Sequence, residues 1–424
     1  MSSIRAYRFQ LRLKPTQQHQ LQRWAGGLRW VWNQALAEQR ARHARGEKYA
    51  GYAQMCKWLT AWRSAPGTAW LASGPIHPQQ QVLKRLDEAY KRFFAKAGGF
   101  PSFKRRGEEP GMRFPDPKQF ALDPANGRIK CPKLGWVRLR LSEPVVGTLR
   151  NVSLTREGAG RSARWYASIQ VQVAQTLPAL GVAPTLGIDL GLTVFAALSE
   201  GACIAPLRAL ACQQVRLRRY QRSVSRKKKG SANRRKAVAR LANLHRRITR
   251  QRNDWLHKLS TELADRHPVI ALEDLRVKNM SASARGTVAA PGQRVRQKAG
   301  LNRSIQDAAW GAFTRQLGDK TRWRGGQVIL VNPAYTSRTC RCCGHEAPEN
   351  RKTQSAFLCV ACGHTEHADV HAAKNILAAG HAAWAKEQAP SPDACGGAVR
   401  RAAPARARRA APTKQEPSEA VGLV

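Results

Sequence analysis

Between residues 4 and 13 the chain alternates, with Tyr7, Phe9, Leu11 and Leu13 on one face and Arg8, Gln10 and Arg12 on the other. A period of two marks a strand with one face buried, and Pro15 ends it. The period then lengthens. Leu21, Trp24, Leu28, Val31 and Ala35 recur at helical spacing across 17–45, and Val82, Leu86, Tyr90 and Phe93 do so across 79–96, which predicts two helices. After the turn GGFPSF, alternation returns: Val137, Leu139 and Leu141 against Arg138 and Arg140, then Ala167, Ile169, Val171 and Val173 against Ser168, Gln170 and Gln172. The pattern predicts a small antiparallel β-barrel, residues 1–14 and 98–178, interrupted by a helical insertion over 15–97.

Beyond Pro178 to Pro184 the pattern changes. Apolar strands are predicted at 185–198, 268–272 and 327–331, with helices at about 301–320 and at 370–379. Strands mixed with helices predict an α/β sheet domain over 179–335 and 364–390, so the fold class is multidomain, α+β followed by α/β. From residue 391 the chain is Ala, Pro and Arg with little else, and 391–424 is read as a disordered basic tail.

Charge sharpens this picture. The 424 residues carry 73 Lys and Arg against 27 Asp and Glu, a formal net charge of +46. Such an excess repels itself unless a polyanion neutralises it, so nucleic acid is the expected partner. A hydrophobic fraction of 42% and twelve Trp argue for folded domains with cationic faces. The charge is concentrated at 208–258, which holds 18 Lys and Arg and one acid, Asp254, with Leu241, Leu244, Ile248 and Trp255 supporting a long helix. Residues 208–265 are therefore read as a basic helical insertion that grips phosphates, with Arg226, Lys227, Lys228, Lys229, Arg234, Arg235, Lys236, Arg246, Arg247 and Arg250 as its contacts. No apolar run approaches a membrane span and the N-terminus MSSIRAYRFQ lacks a signal-peptide core, so a cytoplasmic protein is expected.

In a chain with few acids, TLGIDLGLTVFAAL (185–198) places Asp189 inside an apolar strand pattern. PVIALEDL runs a second apolar strand into Glu273 and Asp274, and HADVHAAKNIL sets Asp369 at the start of an apolar helix. A desolvated carboxylate needs a compensating cation. Three of them suit Mg²⁺, which takes hard oxygen ligands and, as a pair of ions, hydrolyses phosphodiesters. Asp369 also has the position of a helix N-cap. Of the adjacent acids, Glu273 is favoured as the ligand and Asp274 as a cap or outer group.

Cys340, Cys343, Cys359 and Cys362 form two C-x2-C pairs separated by fifteen residues, each second cysteine followed by Gly and His. This is the spacing of a closed, structural four-thiolate Zn²⁺ site, a ribbon over 336–363. His345 and His364 are read as outer or surface groups, and Cys342 leaves a register ambiguity.

Taken together, GIDLGL (187–192), LEDL (272–275), SIQDAAWGAFTRQL (304–317), NPAYTSRTCRCCG (332–344) and ADVHAAKNI (368–376) resemble the TnpB family, transposon-encoded proteins similar to the nuclease cores of type V CRISPR effectors. YRFQLRLKPT (7–16) and VLKRLDEAYKRFF with GFPSFK (82–104) extend the resemblance into the N-terminal half. It implies a RuvC-like domain of RNase H fold with Asp189, Glu273 and Asp369 as its catalytic positions and a zinc ribbon inserted before the last. The N-terminal barrel and helices would be wedge and recognition parts, holding a transposon-derived guide RNA beside a double-stranded DNA target. The expected function is RNA-guided DNA cleavage. The chain departs from the family pattern around the last acid, where His367, Ala368 and His371 stand in place of Asp, Arg and Asn, and His371 is read as a surface residue. Two other readings compete: a guided DNA-binding protein that has lost cutting, and a plain zinc-ribbon nucleic-acid-binding protein. A transposase label fits such a chain as context, since no tyrosine nucleophile motif with paired His ligands is present.

Overall fold

A computed structural model describes residues 2–108, 110–158, 163–174, 182–287, 290–351, 353 and 355–388. The first alternating stretch forms β1 (Ser2–Arg12), with Tyr7, Phe9 and Leu11 fully buried on one face. The helical insertion is α1 (Pro15–Ala44), α2 (Tyr52–Ser64) and α3 (Ile76–Phe94). Periodicity did not announce α2, whose only fully buried positions are Met55 and Leu59, one turn apart. Then come β2 (Met112–Phe114), β3 (Ala121–Asp123), β4 (Arg128–Cys131), β5 (Gly135–Arg140), β6 (Thr148–Glu157) and β7 (Arg164–Ala174).

These strands form one antiparallel sheet in the order β2-β6-β7-β1-β5-β4-β3. The expected barrel is not closed. Its edges, β2 and β3, are three residues each and do not pair with one another among the described residues, so the sheet is a curled half-barrel. Closure requires hydrogen bonding around the whole ring, whereas here the helices complete the enclosure. Leu21, Leu28, Leu83 and Leu86 share one core with Phe114, Val152 and Ile169, and Arg85 Nη1 on α3 donates to the Gly111 carbonyl at 3.3 Å.

The second half contains β8 (Leu186–Leu190), β9 (Ala196–Leu198), β10 (Cys203–Ile204), α4 (Gln214–Ser225), α5 (Ala232–Arg266), β11 (Val269–Glu273), α6 (Val277–Met280), α7 (Val295–Ala308), α8 (Trp310–Trp323) and β12 (Gln327–Val331). It closes with β13 (Ala356–Leu358), β14 (Thr365–His367) and α9 (Ala368–Gln388). The five-stranded sheet runs β10-β9-β8-β11-β12, its first three strands antiparallel and β8, β11 and β12 mutually parallel. Residues 185–198, expected as one strand, fold back at 191–195 into a hairpin that pairs Asp189 with Ala197. The helix expected at 301–320 is two helices, because Ala309 takes a left-handed conformation (φ 56°, ψ 40°) and turns Trp310, Phe313 and Leu317 into the core. The helix expected at 370–379 extends to 388, its alanine-rich end packing Ala379, Ala383 and Trp384 against the sheet.

The basic insertion is a helical pair broken at 226–231, and the Ser231 hydroxyl accepts from Arg234 N at 3.1 Å to cap the longer helix. The 391–424 tail and the boundary placed at 178–179 lie outside the described residues. No helix among the described residues is long and apolar enough to cross a membrane.

Candidate active site and metal centre

Parallel pairing of β11 with β8 aligns Leu272 with Ile188, so the next residues along the two strands, Glu273 and Asp189, emerge side by side at the same end of the sheet. Asp369 reaches them from the first turn of α9, which lies against β8. The approach is close: a Cβ on Gly187 would stand 2.2 Å from the Ala373 carbonyl oxygen and 2.7 Å from Leu377 N. A side chain there would drive α9, and Asp369 with it, off the sheet. Gly187→Ala is expected to destabilise the protein by about 1–3 kcal/mol, read as a lower unfolding midpoint; an unchanged midpoint would mean that α9 shifts without cost.

The acids are crowded. Burial, then the neighbouring Glu273 and Asp369, push the Asp189 carboxyl up to about 7, with Arg351 pulling the other way. Burial also raises Glu273, opposed by the Thr336 hydroxyl, which donates to Glu273 Oε1 at 2.6 Å, and by Arg351. Asp369 Oδ1 accepts from Arg351 Nη2 at 2.7 Å. Asp369 lies within the helical turn, and its side chain makes no cap bond among the described residues, so the N-cap role is not the one it plays. Asp274 is exposed, and its backbone N–H donates to the Val331 carbonyl. Thr336 and Arg351 were not legible as site residues: both come from the cysteine-rich segment, and only the fold carries them to the acids. Three carboxylates sharing one arginine hold excess negative charge, and an all-oxygen donor set of this kind fits a hard divalent cation such as Mg²⁺.

The four expected cysteines also converge. Their Sγ atoms lie within 4.8 Å of one another, with Cys340 and Cys362 3.6 Å apart and Cys343 and Cys359 3.6 Å apart. A tetrahedron with Zn–S bonds of about 2.3 Å has edges of about 3.8 Å, so the set fits zinc. The two knuckles repeat one geometry: Cys340 N donates to the His345 carbonyl and Cys359 N to that of His364, both at 2.9 Å, and Gly344 and Gly363 each take φ 73°, where a side chain is disfavoured. Cys342 is exposed and outside the group, which removes the register ambiguity. His371 corrects a sequence expectation. It is fully buried, stacked on Phe357, with Nδ1 3.1 Å from Glu366 Oε2 and Nε2 3.0 Å from the Thr339 carbonyl oxygen. A ribbon covers this face of α9, which helical periodicity alone could not reveal.

Of the basic residues, Arg226, Lys228, Lys229, Arg235, Lys236 and Arg247 are exposed and Lys227 and Arg234 half-buried; none has an acidic partner among the described residues. Arg246 and Arg250 differ. Arg246 Nη1 donates to the Glu157 carbonyl at 3.5 Å, and Arg250 donates to the Tyr166 hydroxyl, so these two tie α5 to the β6–β7 hairpin.

Three family models match the chain: OrfB_IS605, described as "Probable transposase", over 168–284; the TNB domain of Cas12f1-like proteins over 310–376; and a helix-turn-helix domain over 1–48, where the fold has a strand and one long helix. Among curated proteins the chain is 44% identical to the "Putative RNA-guided DNA endonuclease InsQ" of Escherichia coli (strain K12), over 99% of each chain. It is 33% identical to a protein of Streptomyces pristinaespiralis with the same description, over 97% of this chain and 96% of the relative. Among solved structures, Cas12f1 in the cryo-EM structure of its complex with sgRNA and target DNA superposes with a TM-score of 0.51 at 15% identity, covering 84% of this chain and 82% of that one. That likeness establishes a mixed α+β fold of the same kind. A full-length match at such identity, with the family's motifs in order along the strands and helices just described, makes the chain a member of the TnpB family.

Proposed function

We propose that the chain is an RNA-guided DNA endonuclease whose five-stranded sheet and α9 form a RuvC-like nuclease domain. The observation that carries the reading is the meeting of Asp189, Glu273 and Asp369 from β8, β11 and α9, with the Asp189 carboxyl held up near 7 by burial and by its acidic neighbours. The names of the Escherichia and Streptomyces relatives agree with it.

In this reading Asp189, Glu273 and Asp369 hold Mg²⁺ through carboxylate oxygens. When bound, the metal supplies Lewis acidity for attack of water on a phosphodiester and for departure of the leaving oxygen. The chain's own groups orient the acids. Thr336 fixes one oxygen of Glu273, which leaves the other to face the site, and Arg351 neutralises part of the charge at Asp369. The four thiolates would hold a structural zinc that fixes the segments carrying both residues. The half-barrel and α1–α3 serve as the wedge and recognition parts for a guide RNA made from the transposon, while base pairing with that RNA reads the DNA.

The test is to express the protein with its native flanking DNA, sequence the RNA that copurifies, and add Mg²⁺ and a matching duplex. One discrete RNA and cation-dependent cleavage are expected. A mixture of cellular RNAs, with no cleavage, would overturn the reading. The exposed basic run carries a second expectation. Each phosphate contact adds about 0.7–0.9 to the slope of log affinity against log salt, so changing Arg226, Lys227, Lys228 and Lys229 together to Gln should flatten the slope for RNA by about 3. An unaltered slope would take these residues out of the interface.

A further inference from the structure

β14 and the first turns of α9 bring together a second set of metal-ligand side chains, apart from the four thiolates and the three acids. One ligand atom from each of His364, Glu366 and His371 lies within 4.8 Å of the others. Glu366 Oε2 is the centre of the group, 3.1 Å from His371 Nδ1 and 3.7 Å from His364 Nε2.

The remaining polar side-chain atoms of His371 and Glu366 are already committed. His371 Nε2 stands 3.0 Å from the Thr339 carbonyl oxygen. A carbonyl only accepts, so Nε2 carries a hydrogen, and in the neutral ring Nδ1 turns a lone pair towards Glu366 Oε2. The ring has no room to turn away: it is fully buried and stacked on Phe357, with centroids 3.7 Å apart and planes 17° apart. Glu366 Oε1 accepts from the Lys374 ammonium, which leaves Oε2 to face the two imidazoles. An imidazole lone pair and a carboxylate oxygen held 3.1 Å apart repel unless something positive lies between them.

We propose that His364, Glu366 and His371 form a second transition-metal site, of the zinc type. Two imidazoles and one carboxylate are a donor set that zinc takes when one position stays open, and imidazole donors select against magnesium. Metal–ligand bonds of about 2.0–2.1 Å in a tetrahedron separate the ligand atoms by about 3.3–3.4 Å, between the two separations measured here. The His364 side chain retains 31% of its exposure, so water has access to the fourth position. Such an ion would pin the second cysteine knuckle, through His364, to α9 two residues beyond Asp369. It would act as a positioning centre outside the reacting atoms.

The test is metal content of the full-length protein, saturated with zinc and desalted into excess Mg²⁺ so that the three acids are not counted. Two zinc ions per chain are expected for the native protein and one for His364→Ala, a change at a partly exposed side chain that opens no core. Glu366→Gln should also give one. Cobalt substitution separates the centres, since the four-thiolate site keeps its sulfur-to-metal charge-transfer band in both variants while the imidazole site contributes none. A single zinc in the native protein, with the sulfur band intact, would overturn the proposal and leave His371 and Glu366 as a pair bridged by a proton. Two zinc ions in both the native protein and His364→Ala would also overturn it.

Discussion

Asp189→Asn is expected to abolish DNA cleavage and, in metal-free protein, to raise the unfolding temperature. The two effects have one cause. The Asp189 carboxyl is pushed up to about 7 in the fold by burial and by Glu273 and Asp369, whereas in the unfolded chain it titrates near 3.9. Between those values the unfolded chain has released the proton that the folded chain still holds. Stability therefore falls as pH rises from about 4 to 7, and the deficit is complete above 7. At about 1.4 kcal/mol per pKa unit, the cost at pH 8 is on the order of 2–4 kcal/mol, which Asn removes because it never ionises. Unfolding midpoints of the native protein and Asp189→Asn should thus coincide near pH 4 and separate by several degrees at pH 8, in buffer desalted without chelator. Mg²⁺ should raise the native midpoint and leave the variant's nearly unchanged. Cleavage should drop at least ~10²–10³-fold, the loss seen when one preorganised electrostatic group leaves an active site, with RNA binding retained. Equal midpoints at pH 8, or retained cutting, would take Asp189 out of the site.

The second large effect is expected from Cys359→Ser. A structural zinc bound by four thiolates contributes about 10–16 kcal/mol of apparent free energy in small domains, more than a ribbon with so small a core can replace. Among the described residues the buried hydrophobic cluster there is Cys340, Phe357, Cys359 and Ala368. The variant should therefore lose the zinc held at the thiolates and unfold the ribbon. Cleavage should fall with it, because Thr336 and Arg351, which contact Glu273 and Asp369, lie on either side of the first knuckle. RNA that copurifies with the native protein should still copurify, since the basic helices and the half-barrel lie elsewhere. Zinc content and cleavage rate on one preparation decide the matter. Unchanged zinc would mean that the ligand set is wrong, and lost zinc with full cutting would uncouple the ribbon from the acids.

Local signals in the sequence fared better than long-range ones. The strand alternation of residues 4–13 and the cysteine spacing each express geometry within a few residues, and both reappear in the fold. The three acids were legible because each breaks an apolar pattern, a local anomaly. What failed depends on pairing and packing that residue pattern does not express. Residues 185–198 read as one apolar run because both arms of the β8–β9 hairpin are buried and only Gly191 and Thr193 mark the turn. Ala309 gave no warning of the break between α7 and α8, since alanine favours helix and the left-handed turn is imposed by packing around Trp310. Nothing local shows that Arg246 and Arg250, set in a basic run, also reach the β6–β7 hairpin. The half-barrel was mistaken for a closed one because alternation gives the faces of strands and says nothing about whether the outermost two meet.

The placement of Asp369 on α9 also fixes when the proposed nuclease centre comes into being. Asp189 and Asp369 are separated by 180 positions of chain, a stretch that takes roughly 10–40 s to synthesise at 5–20 residues per second. The half-barrel precedes Asp189 and the basic helices follow it at 214–266, so both are synthesised while the sheet still lacks its third acid. On the proposed function, a chain that ends between α5 and α9 holds RNA without a blade. On that reading the guide can be taken up before the capacity to cut exists, which would spare the host's DNA from an enzyme that is armed but not yet addressed.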